Sequence, residues 1–133
     1  MLILTIMVSC TKIGAPFEKH EFGANVNDFI GTEWLIATED GSFVEGIVFN
    51  TSSTATFVLV NANGNQSIHG EYKYLPSSRM FLFESNSWWV SKDGSTMTYE
   101  TAKLINEKTI NLCYKIAKKD GSSELYYNSL IRQ

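Results

Sequence analysis

The chain has 133 residues, of which 44% are hydrophobic and 13% aromatic, and its formal net charge is −3. A chain this apolar can bury a core, so the composition excludes an intrinsically disordered protein. The acidic balance gives no electrostatic support for binding to a polyanion, and we expect no nucleic-acid partner. The length predicts one domain.

The first ten residues have the character of a secretory signal. Residues 1–9 are almost wholly apolar but fall short of the roughly 20 needed to span a bilayer. The run Met7-Val8-Ser9-Cys10 resembles the lipobox of bacterial lipoproteins, in which a small residue precedes a cysteine that is acylated and becomes the new N-terminus. The resemblance implies a signal peptide over residues 1–10, lipidation of Cys10 and a membrane anchor in the cell envelope (outer membrane or periplasm). An ordinary buried N-terminal strand is the alternative.

Residues 11–26 are predicted to be a tether. They contain Gly14, Pro16 and Gly23 with mixed charge and show no sustained hydrophobic period. Phe17 and Phe22 are the two residues of this segment that could pack against the domain that follows.

The folded domain is predicted over residues 27–133. Asn27 or Asp28 can cap a single helical turn, and Gly31 lets the chain leave that turn. Residues 32–38 then form a strand with Trp34 and Ile36 on one face. A large ring at this position would close one end of the domain, and direct contact with a ligand is the alternative for Trp34.

The remainder of the chain is a series of short strands joined by tight turns. Asp-Gly and Asn-Gly pairs at 40–41, 63–64, 93–94 and 120–121 supply the positive φ angles that hairpins need. No long amphipathic helix is evident. The predicted strands cover residues 43–49, 54–60, 67–75, 79–84, 88–91, 96–104, 109–118 and 124–131.

This pattern predicts an all-β fold, an antiparallel up-and-down meander of about eight strands closed into a barrel. Closure removes exposed sheet edges, and a barrel of this size has room for side chains or one small ligand. A two-sheet β-sandwich satisfies the same pattern and remains the alternative.

The domain resembles the lipocalin-like (calycin) group, and in particular the small lipocalin-like lipoproteins of Bacteroides-type bacteria. The resemblance rests on the short turn at residues 27–29, on Gly31 and Trp34 at the first strand, and on the meander. The spacing of Gly31 and Trp34 is one residue longer than in lipocalins. The resemblance implies a lipocalin-like barrel, with a basic residue near the last strand, here Arg132, packed over the tryptophan.

Several polar residues are candidates for a metal site or for acid–base catalysis. His69, Glu71 and Lys73 share one strand face, and Glu45 and Glu84 lie in otherwise apolar strands. Exposure to solvent is the simpler interpretation of all five. No metal-binding motif such as HxH, HExxH or CxxC occurs, so we expect no metal site, no cofactor and no enzymatic activity. Cys113 is expected to be a buried core residue.

Aromatic residues are the main candidates for binding. Trp34 and inward-facing tyrosines would suit a small hydrophobic or amphiphilic ligand. The adjacent pair Trp88 and Trp89 must face opposite sides of its strand, which places one ring outward for contact with a protein or glycan. The tyrosines in question are Tyr72, Tyr74, Tyr99 and Tyr114.

Two functions therefore stay open. The first is a lipid-anchored barrel that binds a small ligand, which predicts an interior cavity of about 300 Å³ or more. The second is a solid-cored barrel that binds a protein or glycan by its surface, as an inhibitor or accessory subunit, which predicts a packed interior beside an exposed tryptophan.

Overall fold

The computed structural model describes residues 20–62, 64–84 and 88–133, with nothing given for the side chain of Trp88. This part of the chain contains one 3₁₀ helix, Val26–Phe29, and nine β-strands. The strands are β1 (Glu33–Ala37), β2 (Val44–Phe49), β3 (Thr54–Asn61), β4 (Gly64–Leu75), β5 (Met80–Phe83), β6 (Trp88–Val90), β7 (Thr96–Asn106), β8 (Thr109–Ala117) and β9 (Ser123–Arg132).

Eight antiparallel strands close into an up-and-down barrel, and β6 is an extra strand. Each barrel strand pairs with its neighbours in the chain, except that β5 pairs with β7. The last strand returns to the first, with Arg132 opposite Trp34 and Ile131 opposite Leu35. This closing pair confirms the predicted barrel and excludes the sandwich.

The two short strands β5 and β6 lie along the same edge of β7. Strand β5 pairs with residues 101–103 of β7, and β6 pairs with residues 96–98 of the same strand. Strand β4 pairs with β5 only through its last four residues, 72–75. The hydrogen-bonded wall described here therefore has a gap between the first half of β4 and strand β6.

A continuous column of aromatic rings fills the barrel interior. Each ring lies 4.6 to 6.5 Å from the next, measured between centroids. Phe29 comes from the 3₁₀ helix, and alternation along the strands directs the other rings inward, where burial of apolar area stabilises the fold. In order from one end to the other, the column is Phe29, Phe81, Phe83, Phe57, Tyr99, Tyr114 and Tyr126.

The first end of the barrel is closed by an aromatic plug. Trp34 is fully buried, and its indole Nε1 donates a hydrogen bond to Thr32 Oγ1 at 2.8 Å. Phe22 packs on Phe29 with 5.0 Å between ring centroids. The Arg132 guanidinium lies 4.4 Å from the centroid of Phe22 and 6.0 Å from that of Trp34. Arg132 thus covers the tryptophan, as the resemblance implied.

The 3₁₀ helix beside the plug begins two or three residues earlier than expected. Its N-cap is Asn25, whose side chain accepts from the Asn27 backbone N–H, so the prediction of Asn27 or Asp28 as cap was wrong. Asp28 instead occupies the third helical position and completes a capping box. Asp28 also lies 2.6 Å from His20 and accepts from the Gly23 backbone N–H at 2.9 Å.

The predicted signal, Cys10 and Phe17 lie outside the described residues. Where the structure describes the predicted tether, Phe22 and Val26 pack against the barrel core. Within the described ranges, no helix is both long enough and apolar enough to cross a membrane.

Candidate binding site

A carboxylate faces the barrel interior near the end opposite the plug. Glu45 follows the inward alternation of β2 with Ile47 and Phe49, and it is 1% exposed. It lies opposite Ile36 of β1 and Leu59 of β3. The expectation that Glu45 faces solvent was therefore wrong.

Glu45 is held by two neutral side chains. The Tyr99 hydroxyl donates to Oε2 at 3.1 Å, and Asn128 Nδ2 donates to Oε1 at 2.5 Å. Among the described residues the ion pairs are His20–Asp28 and Arg79–Glu21, so no cation neutralises Glu45 there. Burial raises the pKa of Glu45, and the hydrogen bonds from Asn128 and Tyr99 offset part of that rise.

Three tyrosines extend from this carboxylate toward the second end of the barrel. The Tyr99 ring stacks on Phe57 at 4.6 Å, and Tyr114 stacks on Tyr126 at 5.6 Å. Burial, followed by the charge of Glu45, raises the pKa of both Tyr99 and Tyr114. These phenols therefore stay protonated at neutral pH, and that of Tyr99 is a donor to Glu45.

Trp89 borders the same group from strand β6. Its side chain is 7% exposed, and it pairs with Met97 in the β6–β7 register. The buried indole Nε1 has no hydrogen-bond partner within the described part of the protein. A buried N–H without an acceptor is costly and is an uncommon feature of native proteins. Because this ring is buried, it offers little surface to a protein or glycan.

A small cavity opens at this end of the barrel, beside the gap between β4 and β6. Its volume is about 130 Å³, below the size expected for a hollow barrel. Depressions of about 360 to 420 Å³ lie on the outer surface beside Arg79 and Arg132. The cavity is lined by Leu59, Asn61, Gln66, Trp89, Val90, Ser91, Ser95, Met97 and Ile116.

The structure divides the predicted binding residues between the two ends. Trp34, Tyr72 and Tyr74 belong to the plug: the Tyr72 hydroxyl donates to the Thr51 carbonyl at 2.7 Å, and that of Tyr74 donates to the Gly23 carbonyl at 2.5 Å. Burial raises the pKa of Tyr72 to about 12. Tyr99 and Tyr114 alone lie near Glu45 and the second end.

The other polar candidates do not form a site. His69, Glu71 and Lys73 are exposed along β4, and His69 Nδ1 lies 2.9 Å from Thr56 Oγ1. The described ranges contain no group of three or more acidic, histidine or cysteine side chains able to hold a metal ion. Glu84 is exposed, and Cys113 is buried as a free thiol.

The sequence pattern gives only weak support to Glu45 and Asn128 as functional candidates. Glu45 had one local signal, since it shares the inward parity of Ile47 and Phe49. Asn128 had only its parity with Leu130 on β9, and its partner is 83 residues away.

The arrangement can bind a polar group. The described side chains that contact Glu45 are a phenol and an amide, and both donate hydrogen bonds to the carboxylate. A polar group beside an apolar cavity fits recognition of a compact amphiphilic molecule. Comparison with protein-family models, with curated proteins and with solved structures finds no match to this chain.

Proposed function

We propose that this protein is a lipid-anchored, lipocalin-like barrel of the cell envelope that binds one compact amphiphilic molecule at the end opposite the plug. One observation carries the proposal: Leu59, which lines a small and mostly apolar cavity, lies opposite Glu45, the centre of a buried polar group with Tyr99 and Asn128. A buried carboxylate without a countercharge costs stability, and such groups are concentrated at functional sites.

The cavity limits the size of the ligand. A cavity of about 150 Å³ accommodates a molecule of the size of benzene, so 130 Å³ fits roughly one ring. The aromatic column from Phe29 to Tyr126 occupies the remaining interior. We therefore propose a compact ligand and not a long acyl chain.

The proposed anchor depends on Cys10 and its lipobox-like context. A diacylated cysteine would hold the barrel at a membrane, in the manner of the small lipocalin-like lipoproteins that the sequence resembles. In this proposal the protein binds its ligand without transforming it.

Native mass spectrometry of the full chain, isolated from cells that make it, tests the proposal. We expect a retained molecule of about the size of a substituted ring. A bare protein that also takes up no one-ring amphiphile on titration would overturn ligand binding. Mass analysis of the N-terminal peptide tests the anchor separately, since acylation starts the chain at Cys10.

A surface function remains the second candidate because of one outer strand face. Leu125, Tyr127 and Ile131 of β9 are 56%, 67% and 47% exposed. Exposed apolar side chains on one strand favour contact with a protein or glycan. A photo-crosslinking residue at position 127 should then give a defined adduct, whereas one at the exposed Lys108 should not.

A further inference from the structure

We propose that the ligand carries a cationic amine, held by the Glu45 carboxylate, and an apolar group that occupies the cavity. This inference rests on the proposed binding function and names the chemical class of its ligand.

Glu45 has no countercharge among the described residues. Glu45 is 1% exposed, and its described partners, Tyr99 and Asn128, are both neutral. The flanking residues in the sheet are Ile36 and Leu59, which carry no charge either. A buried carboxylate is stable as an ion only when a cation or several hydrogen bonds compensate it. A bound ammonium group would provide that compensation.

The Glu45 carboxylate also retains capacity to accept hydrogen bonds. An ionised carboxylate has about four acceptor positions, and Tyr99 and Asn128 occupy two of them. An ammonium group offers three donors and no acceptor. A ligand carboxylate or phosphate would instead be repelled by the charge of Glu45, which argues against anionic ligands.

Aromatic side chains of the column lie on the same side of the barrel interior as Glu45. Tyr99, Tyr114 and Tyr126 follow one another in the column, and Trp89 closes the neighbouring wall. Aromatic faces attract cations within about 6 Å, and tryptophan does so most strongly. A carboxylate that contacts the first of these tyrosines is a combination that suits an amine.

The carboxylate and the cavity share Leu59 as a neighbour. Leu59 lies opposite Glu45 in the β2–β3 register and also lines the cavity. Trp89 lines the cavity as well. A one-ring amine can therefore place its ring in the cavity and direct its ammonium group toward Glu45.

Calorimetric titration of the full chain with two probes tests the inference. The probes are 2-phenylethylamine, which is cationic at pH 7, and 2-phenylethanol, its neutral counterpart of nearly the same size. We expect the amine to bind about tenfold more tightly, or better, because hydrogen bonds between ions exceed neutral ones by this amount. Glu45→Gln should abolish the preference for the amine over the alcohol.

The matched control is Glu33→Gln, which removes the same charge from an exposed position on β1. It should keep the preference for the amine. Equal binding of both probes by the unaltered protein overturns the inference and leaves the proposed function standing. Binding of neither probe overturns both. The comparison in the unaltered protein needs no variant, so a folding defect in Glu45→Gln would not prevent a decision.

Discussion

Asn128 on β9 donates a hydrogen bond to Glu45 on β2 at 2.5 Å, although 83 residues separate them in the chain. Strand β1 lies between these strands in the sheet, so the bond crosses the barrel interior. Together with the bond from Tyr99, it creates a polar layer in an otherwise apolar interior. The two ends of the barrel therefore differ: an arginine-capped aromatic plug closes one, and a small cavity beside a buried carboxylate marks the other.

Replacement of Glu45 by glutamine should change how stability depends on pH. Burial raises the pKa of Glu45 above its ordinary value of 4.5. The folded state then binds the proton more tightly than the unfolded state. The contribution of Glu45 is most favourable below pH 4.5 and is lost as pH rises through the raised value. Glu45→Gln should therefore gain stability relative to the unaltered protein as pH increases.

Urea unfolding of both proteins from pH 4 to pH 8 measures this difference. The other carboxylates are common to the two proteins, so their contributions cancel in the comparison. Parallel stability profiles over the whole range would show that Glu45 titrates normally, in contradiction to the buried, uncompensated position described above.

Removal of the Trp34 ring should destabilise the barrel severely. The side chain is fully buried between Phe29, Phe22 and Arg132, and Trp34→Ala leaves a large cavity that costs about 3–5 kcal/mol. Thermal or urea unfolding measures the loss. Tyr127→Ala is the control, since its ring is 67% exposed and should change stability by less than about 0.5 kcal/mol. Similar losses in both variants would exclude a plug.

Loss of the capping box should loosen the segment that carries Phe22. Asp28→Ala removes the acceptor for His20 and for the Gly23 N–H, at a cost of about 1 kcal/mol. Burial raises the pKa of Asp28, but the hydrogen bonds from His20 and the backbone outweigh this effect and hold the pKa below 3.8.

The contribution of Asp28 should therefore be present above about pH 3.8 and be lost as pH falls through the lowered pKa. Unfolding curves of Asp28→Ala and the unaltered protein should converge in acid. A constant difference between pH 2 and pH 7 would contradict the assignment.

The charge of Arg132 should stabilise the plug by a smaller amount. Arg132→Met keeps an apolar stem over Phe22 but removes the cation, with an expected cost of about 0.5–1 kcal/mol. Lys103→Met removes one positive charge from an exposed position on β7 and serves as the control. Equal effects of the two changes on the melting temperature would mean that net charge, and not the contact with the ring, is responsible.

The strands were predictable because alternation and turn chemistry agree along the chain. In β3, for example, the buried residues Ala55, Phe57 and Leu59 alternate with half-buried ones, and Asn61 at its end pairs with Gly64 at the start of β4. Burial of one face fixes the register, so a local pattern sufficed. The closure could be inferred only as a preference, since it depends on the contact between Arg132 and Trp34 at opposite ends of the domain.

The polar layer could not be predicted in the same way. Parity placed Glu45 inward, whereas the usual exposure of glutamate argued for the outward face. Its partners Tyr99 and Asn128 lie 54 and 83 residues away, and no local signal links them. The cap at Asn25 was missed for a related reason: both Asn25 and Asn27 can cap a turn, and the choice depends on Asp28 reaching back to the Gly23 and Asn25 backbones.

The most direct test of the central claim is an NMR titration of the full chain with 2-phenylethylamine, followed through the indole N–H signals. The chain contains 3 tryptophans, which Trp88→Phe and Trp89→Phe variants assign. The account predicts that the Trp89 signal shifts, while that of Trp34, bonded to Thr32 within the plug, stays in place. A shift of Trp34 with Trp89 unchanged, or no shift of either signal, would contradict a binding site beside Glu45.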